Sequence, residues 1–180
     1  MNMKRFFLPH SWIDPRLMIG KSKIQGKGII TTASITKGEK LMEWGGILIK
    51  RAEIDEGKHR LQTLVPIDDD LFLGLPVTDE TETIDEYLNH SCDPTAWLTD
   101  EVTVVARKNL KTGDEITIDS ATWDADEEWE FLEKGNCTCH TVLCRTILTP
   151  NDWKIPALQK RFKGHFSPYI QRKIDLLEKQ

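Results

Sequence analysis

Tyrosine and cysteine are both scarce in this chain of 180 residues: there are two tyrosines, Tyr87 and Tyr169, and four cysteines. No run of eighteen apolar residues occurs, which excludes a membrane-spanning helix and leads to the expectation of no membrane association. The apolar run near the start, Phe6 to Leu8 before Pro9, is too short for the core of a signal peptide, so the expected location is cytoplasmic, or nuclear in a eukaryote. An excess of positive charge is missing too. The formal net charge is −5, which argues against direct nucleic acid binding and suits a basic partner such as a lysine-rich protein. Internal repeats and low-complexity segments are absent. What remains, 39% hydrophobic and 29% charged residues, is the composition of one globular domain with a real core.

Three of the cysteines crowd into NCTCHTVLC, residues 136–144, and the fourth, Cys92, lies 45 residues earlier in YLNHSCDP. A reducing compartment disfavours structural disulfides. Zinc prefers four soft ligands in a tetrahedron, and the C-x-C pair Cys137 and Cys139, with Cys144 after a short loop, supplies three sulfurs. A folded chain can bring Cys92 alongside as a fourth. His140 in its place, a disulfide, and free buried thiols are the alternatives that spacing alone leaves open.

Coarse periodicity gives mainly strands. Leu17–Ile19 and Gly28–Thr31 are short strand candidates, and Lys40–Ile49 is a longer one broken at Gly45-Gly46, where a bulge or close backbone approach is expected. Arg51–Leu61 reads as a short charged helix and Leu64–Leu75 as a hairpin around Asp68-Asp69-Asp70. That turn has no glutamate or glycine at calcium-loop spacing, so it reads as solvated. Thr83–Leu88 is a helical turn, and Val102–Arg107 and Glu115–Asp119 are strands joined through Gly113-Asp114. Asp124–Glu133 is acidic and helical in pattern. Ile155–Phe162 and Pro168–Glu178 are amphipathic helices, the second opened by Ser167 as N-cap and Pro168 at N1.

In their order, five motifs resemble the SET domain family of protein-lysine methyltransferases, in a small microbial form. They are KIQGKGIITTASITKGE (23–39), EWGG (43–46), YLNHSCDP (87–94), VVARKNLKTGDEITID (104–119) and NCTCHTVLCR (136–145), so the resemblance spans about residues 16–147. It implies an α+β fold, mainly β with short helices, with a threaded loop near NHSC. It also implies an N-terminal extension (1–15), a SET core (16–122), an acidic helix with a post-SET zinc segment (123–148) and a C-terminal helical extension (149–180). The cofactor implied is S-adenosylmethionine, held by Gly26, Lys27, Gly28, Tyr87, Asn89 and His90. The family likewise implies one structural zinc on Cys92, Cys137, Cys139 and Cys144, and a lysine-containing protein substrate. Methyl transfer from a sulfonium to an amine needs the two held in line and water excluded.

One stretch departs from the family pattern. A substrate lysine, with an ordinary pKa near ~10.4, costs about 4.6 kcal/mol to deprotonate at pH 7, at ~1.36 kcal/mol per unit. Burial in an aromatic channel near the sulfonium lowers that cost, and a tyrosine orients the amine. Here EITIDS places Ser120 at the tyrosine position and Ile118 where an aromatic residue often limits the methyl count. Ile118 leaves room for more than one methyl. Trp123 and Trp153 are the candidates for a replacement aromatic wall, with core packing as the competing role, and Asp119 reads as structural. The expectation is therefore a SAM-dependent lysine N-methyltransferase. The alternative is a catalytically impaired relative that binds SAM or a lysine peptide.

Overall fold

The structure, a computed structural model, describes residues 6–126 and 136–179. Eleven short strands in the described residues form three small sheets, and three short helices flank them. In the first sheet β1 (Trp12–Ile13), β4 (Lys40–Glu43), β10 (Thr103–Ala106) and β9 (Ala96–Leu98) lie in that order, all antiparallel. The second runs β2 (Leu17–Lys21), β3 (Lys27–Thr31), β11 (Glu115–Ile118) and β8 (Asn89–His90), and its β11–β8 pairing is parallel. The third is β5 (Ile47–Lys50), β7 (Leu71–Gly74) and β6 (Val65–Asp68).

The segment Lys40–Ile49 is two strands in two different sheets, β4 and β5, with the hand-over at the glycines. A Cβ on Gly45 would lie 2.3 Å from the carbonyl carbon of His10, and one on Gly46 would lie 2.4 Å from the carbonyl oxygen of Gly74. Gly46 also has φ 142°, which L side chains rarely adopt. The close approach read from the sequence is therefore real, and it serves to pass the chain between layers. β10 and β11, contiguous in sequence, do not pair with each other; the Gly113 turn also carries the chain from one sheet to another.

Helix α1 covers only Arg51–Asp55, shorter than the expected Arg51–Leu61. Its single apolar anchor, Ile54, packs on the small cluster of Ile49, Leu64 and Phe72, and Gly57 with φ 69° stops the turn. Of the acidic helix expected over Asp124–Glu133, Asp124–Asp126 are not helical and the remainder lies outside the described residues. Helices α2 (Pro156–Arg161) and α3 (Pro168–Leu177) form as expected, and the Ser167 hydroxyl accepts from the Ile170 amide as the N-cap of α3.

Two larger hydrophobic cores lie beside the small cluster under α1. One fills the space between the first two sheets, with Ile29, Leu41, Met42, Leu98, Val104 and Ile116 among its fully buried members. The other packs Trp153, Phe162, Phe166, Tyr169 and Ile170 against Ala121, just beyond β11. The Asp68–Asp70 turn is exposed, as read from the sequence, and its carboxylates also reach the side chains of α3. Tyr169 donates its hydroxyl to Asp69 at 3.0 Å, Lys173 pairs with Asp69, and Arg172 pairs with Asp68 at 3.4 Å. No helix of the described residues is long and apolar enough to cross a membrane.

Candidate active site and metal centre

The parallel pairing of β8 with β11 sets Thr117 beside Asn89 and Ile118 beside His90. This register brings the NHSC segment to the end of EITIDS. A cavity of about 300 Å³ opens there. Its wall takes Gln25 from the glycine-containing segment, Asn89 and His90 from β8, and Ile118, Ser120, Trp123 and Asp124 from the end of β11. Asn136, Cys137 and Thr138 come from the cysteine segment.

At one end the polar groups are tightly bound to each other. Asn89 donates its amide hydrogens to the Lys27 carbonyl and to Glu115 Oε1, both at 2.8 Å. Ser22 donates to the same carboxylate oxygen at 2.7 Å. A Cβ on Gly28 would lie 2.4 Å from that oxygen, so this glycine makes room for Glu115 and Asn89. Gly26, Lys27, Gly28 and Tyr87 are not among the residues lining the cavity. Lys27 places its ammonium 5.1 Å from the centre of the Tyr87 ring, and Tyr87 donates to Glu82 at 3.2 Å. Of the six residues that the family resemblance assigns to cofactor, Asn89 and His90 face the cavity directly, and Gln25 joins them.

His90 is fixed in one tautomer. The Ser120 backbone N–H donates to Nδ1 at 3.1 Å, which leaves the Nε2 hydrogen to point at Cys92 Sγ, 3.3 Å away. Burial holds the ring neutral, with its pKa pushed down to about 4 although Asp119 pulls the other way. The Ser120 hydroxyl also lies beside Nδ1, at 3.3 Å. This is where the residue at the tyrosine position goes: it is buried against the histidine.

The four cysteines meet. Their sulfurs all lie within 4.8 Å of one another, and Cys92 Sγ is 3.8 Å from Cys137 Sγ. Zinc–sulfur bonds of about 2.3 Å in a regular tetrahedron set the sulfurs about 3.8 Å apart, so the donor set has the size and chemistry for a metal ion. His140, exposed and with φ 52°, is not part of the group, which removes it as the fourth ligand. The sulfurs are also surrounded by donors. Arg145 N–H points at Cys92 Sγ at 3.3 Å, Thr146 N–H at Cys144 Sγ at 3.4 Å, and the Thr141 hydroxyl lies 3.4 Å from Cys139 Sγ. Such an outer shell favours thiolates and orients them. Burial pushes the Cys92 thiol up to about 11, so an ion bound there would displace its proton.

Arg145 ties this centre to the rest of the site, a role that spacing alone did not reveal. Its guanidinium donates two hydrogen bonds to the Asp119 carboxylate, at 2.6 and 2.7 Å, and one to Asp152 at 2.7 Å. Asp119 is fully buried and engaged in this bidentate pair, which agrees with a structural role. Arg161 reaches the Cys92 carbonyl at 2.8 Å from helix α2. Of the two tryptophans considered as an aromatic wall, Trp123 lines the cavity and packs on Trp44 with ring centres 5.5 Å apart. Trp153 is buried in the second core and lines a different pocket.

Comparison with known proteins agrees with this geometry. The family model described as "SET domain" matches residues 26–119, just over half the chain. The chain belongs to the SET domain family. It is also 26% identical over 141 residues to a protein named histone-lysine N-methyltransferase trithorax, from Drosophila virilis. The match takes in 71% of this chain and 3% of that much longer relative.

Proposed function

We propose that this protein is an S-adenosylmethionine-dependent protein-lysine N-methyltransferase whose active site is closed by one structural zinc ion. The observation that carries the reading is the meeting of Asn89, His90 and Cys137 of the four-cysteine cluster at one cavity, in a chain of the SET domain family. Name and family of the trithorax relative point to lysine as the acceptor. The cofactor supplies an electrophilic methyl group on a sulfonium. The chain's own residues do the rest: Asn89 and Gln25 offer amide groups to the bound molecule, and His90 couples this wall to Cys92. Ile118 and Trp123 give an apolar lining that keeps water from the amine. Cys92, Cys137, Cys139 and Cys144 would hold the zinc, which fastens the last part of the wall to β8.

A second reading is favoured by one residue. Ser120 cannot reach as far as the tyrosine whose position it takes, and its hydroxyl is occupied beside His90. A positioned polar group is worth ~10²–10⁴-fold in rate, so a cofactor-binding protein with little turnover is the alternative. The test is transfer of labelled methyl groups from S-adenosylmethionine into histones and a lysine-rich protein mixture, read by peptide mass spectrometry beside a calorimetric cofactor titration. Methylated lysine above the enzyme-free control is the expected result. Cofactor binding with no transfer selects the second reading, and a Ser120→Tyr variant that then gains transfer would show the rest of the site to be competent. No binding and no transfer would overturn both.

A further inference from the structure

The cavity has an unusual charge balance. Among the described residues that line it there is no lysine or arginine, and there are two carboxyl groups, Glu86 and Asp124. Glu86 is already engaged: it pairs with Arg60 and accepts from the Thr83 hydroxyl at 2.8 Å. Asp124 has no ion pair among the described residues. The nearby cation, Arg51, is bonded to Asp126 instead. Asp124 Oδ1 accepts from the Asp126 amide at 2.9 Å, and the residue is only 5% exposed.

Its placement follows from the short turn after β11. Ser120–Thr122 form a single 3-10 turn capped by the Asp119 side chain, and the Asp124 N–H then donates back to the Ser120 carbonyl at 2.9 Å. That helical spacing returns the Asp124 side chain to the side of Ser120, where both face the cavity beside Trp123. A buried carboxyl without a counter-ion is costly. Burial lifts its pKa to about 7, with Asp126 adding to the rise and Arg51 opposing it. Such a group is retained at a loss in stability, beside the position where the lysine-orienting tyrosine is missing.

We propose that Asp124 is the charge partner of an alkylammonium group in this cavity, the side chain of the substrate lysine, and that it takes over the positioning left vacant by Ser120. This rests on the methyltransferase reading for the identity of the ligand. The carboxylate accepts hydrogen bonds from the ammonium in a place where no lysine or arginine of the described residues lines the cavity. It is also placed to take one proton from it: carboxylate and ammonium become carboxylic acid and neutral amine, with the net charge zero before and after. The amine lone pair is then available, and the proton rests on Asp124.

The test uses the full chain with its zinc, at pH 8.5, and n-butylammonium chloride as the probe, with n-butanol as the uncharged control. Binding is followed by tryptophan fluorescence, with and without S-adenosylhomocysteine. The wild type is expected to prefer the ammonium over the alcohol by at least 10-fold, with the nucleoside bound. Asp124→Asn keeps an acceptor for the Asp126 amide and is expected to lose that preference while binding S-adenosylhomocysteine within about 2-fold of wild type. Glu86→Gln is expected to keep it. Loss of the preference in Glu86→Gln, its retention in Asp124→Asn, or competition between butylammonium and S-adenosylhomocysteine would each overturn the proposal. If Asp124→Asn does not fold, Glu86→Gln decides between the two carboxyls that line the cavity among the described residues. The readout needs no turnover: a wild type that binds butylammonium through Asp124 but transfers no methyl group sinks the methyltransferase reading and leaves the ammonium site standing.

Discussion

The two ends of the cavity are built in opposite ways. At the Asn89–His90 end polar groups are tied to partners from segments far apart in sequence: Ser22 with Glu115, Asn89 with Lys27, Cys92 with Arg145. At the Ile118–Asp124 end the lining is apolar or under-paired, with Asp124 buried and without a counter-ion among the described residues. The first arrangement is what a site needs to hold a ligand in one pose. The second is a store of unfavourable free energy that a cationic guest relieves. Rigidity and unmet charge lie a few residues apart in the same cavity.

The largest effect should come from removing the centre that joins the two ends. Structural zinc contributes ~10–16 kcal/mol of apparent binding free energy in small domains. A strong chelator with denaturant should therefore unfold the protein at far lower denaturant concentration than denaturant alone, and Cys92→Ser should bind no zinc by elemental analysis. Equal resistance with and without chelator would remove zinc from the account. Next comes the Arg145 clamp. Asp119→Ala leaves a largely buried guanidinium with one carboxylate where it had two, and should cost about 3–5 kcal/mol in urea denaturation. A loss below about 1 kcal/mol would show that the cysteine segment is held without it.

Asp124 gives a smaller effect of opposite sign. Its folded pKa, raised to about 7, lies above the unfolded value near 3.8, so the folded state binds the extra proton between those limits. Its contribution to stability is present below about pH 4 and is lost as pH rises through about 7. Asp124→Asn should therefore stabilise the free protein at pH 8 by ~1–3 kcal/mol relative to wild type, and much less at pH 5. A thermal melt at the two pH values reads this directly; destabilisation at pH 8 would mean that the carboxylate has a counter-charge after all. The smallest effect belongs to Ser167→Ala, which removes the N-cap of α3 and should cost about 1 kcal/mol, with no change in zinc content.

The convergence of the cysteines was legible in short motifs, and the construction of the cavity was not. NHSC and the C-x-C-x4-C cluster pointed to four thiolates, and the sulfurs do converge. Gly45-Gly46 announced a close approach, and two backbones meet there. The capped start of α3 was readable because a serine before a proline has few other uses. What escaped depends on pairings between distant segments. The two-residue strands β1 and β8 are too short for any periodicity, and they exist because β4 and β11 offer edges to them. β1 also joins residues read as an N-terminal extension to the first sheet. The roles of Arg145 and Glu115 could not be read because charged residues on a chain look alike until a buried partner selects one. Asp124 was hidden for a similar reason: in a run of acidic residues, nothing local distinguishes the one that is turned inward.

The parallel contact between β8 and β11 also has a consequence for how the molecule assembles. Parallel neighbours cannot form from a hairpin, and this pair must close a loop from His90 to Glu115 before either strand gains a hydrogen bond from the other. Local structures such as the β6–β7 hairpin can form far sooner. Until that loop closes, Cys92 stays apart from the three cysteines that follow it, and an early metal ion would meet only a three-sulfur set. The fourth cysteine thus reports on the completion of folding: the closed four-sulfur cluster and the finished cavity wall are the same late event in the life of the chain.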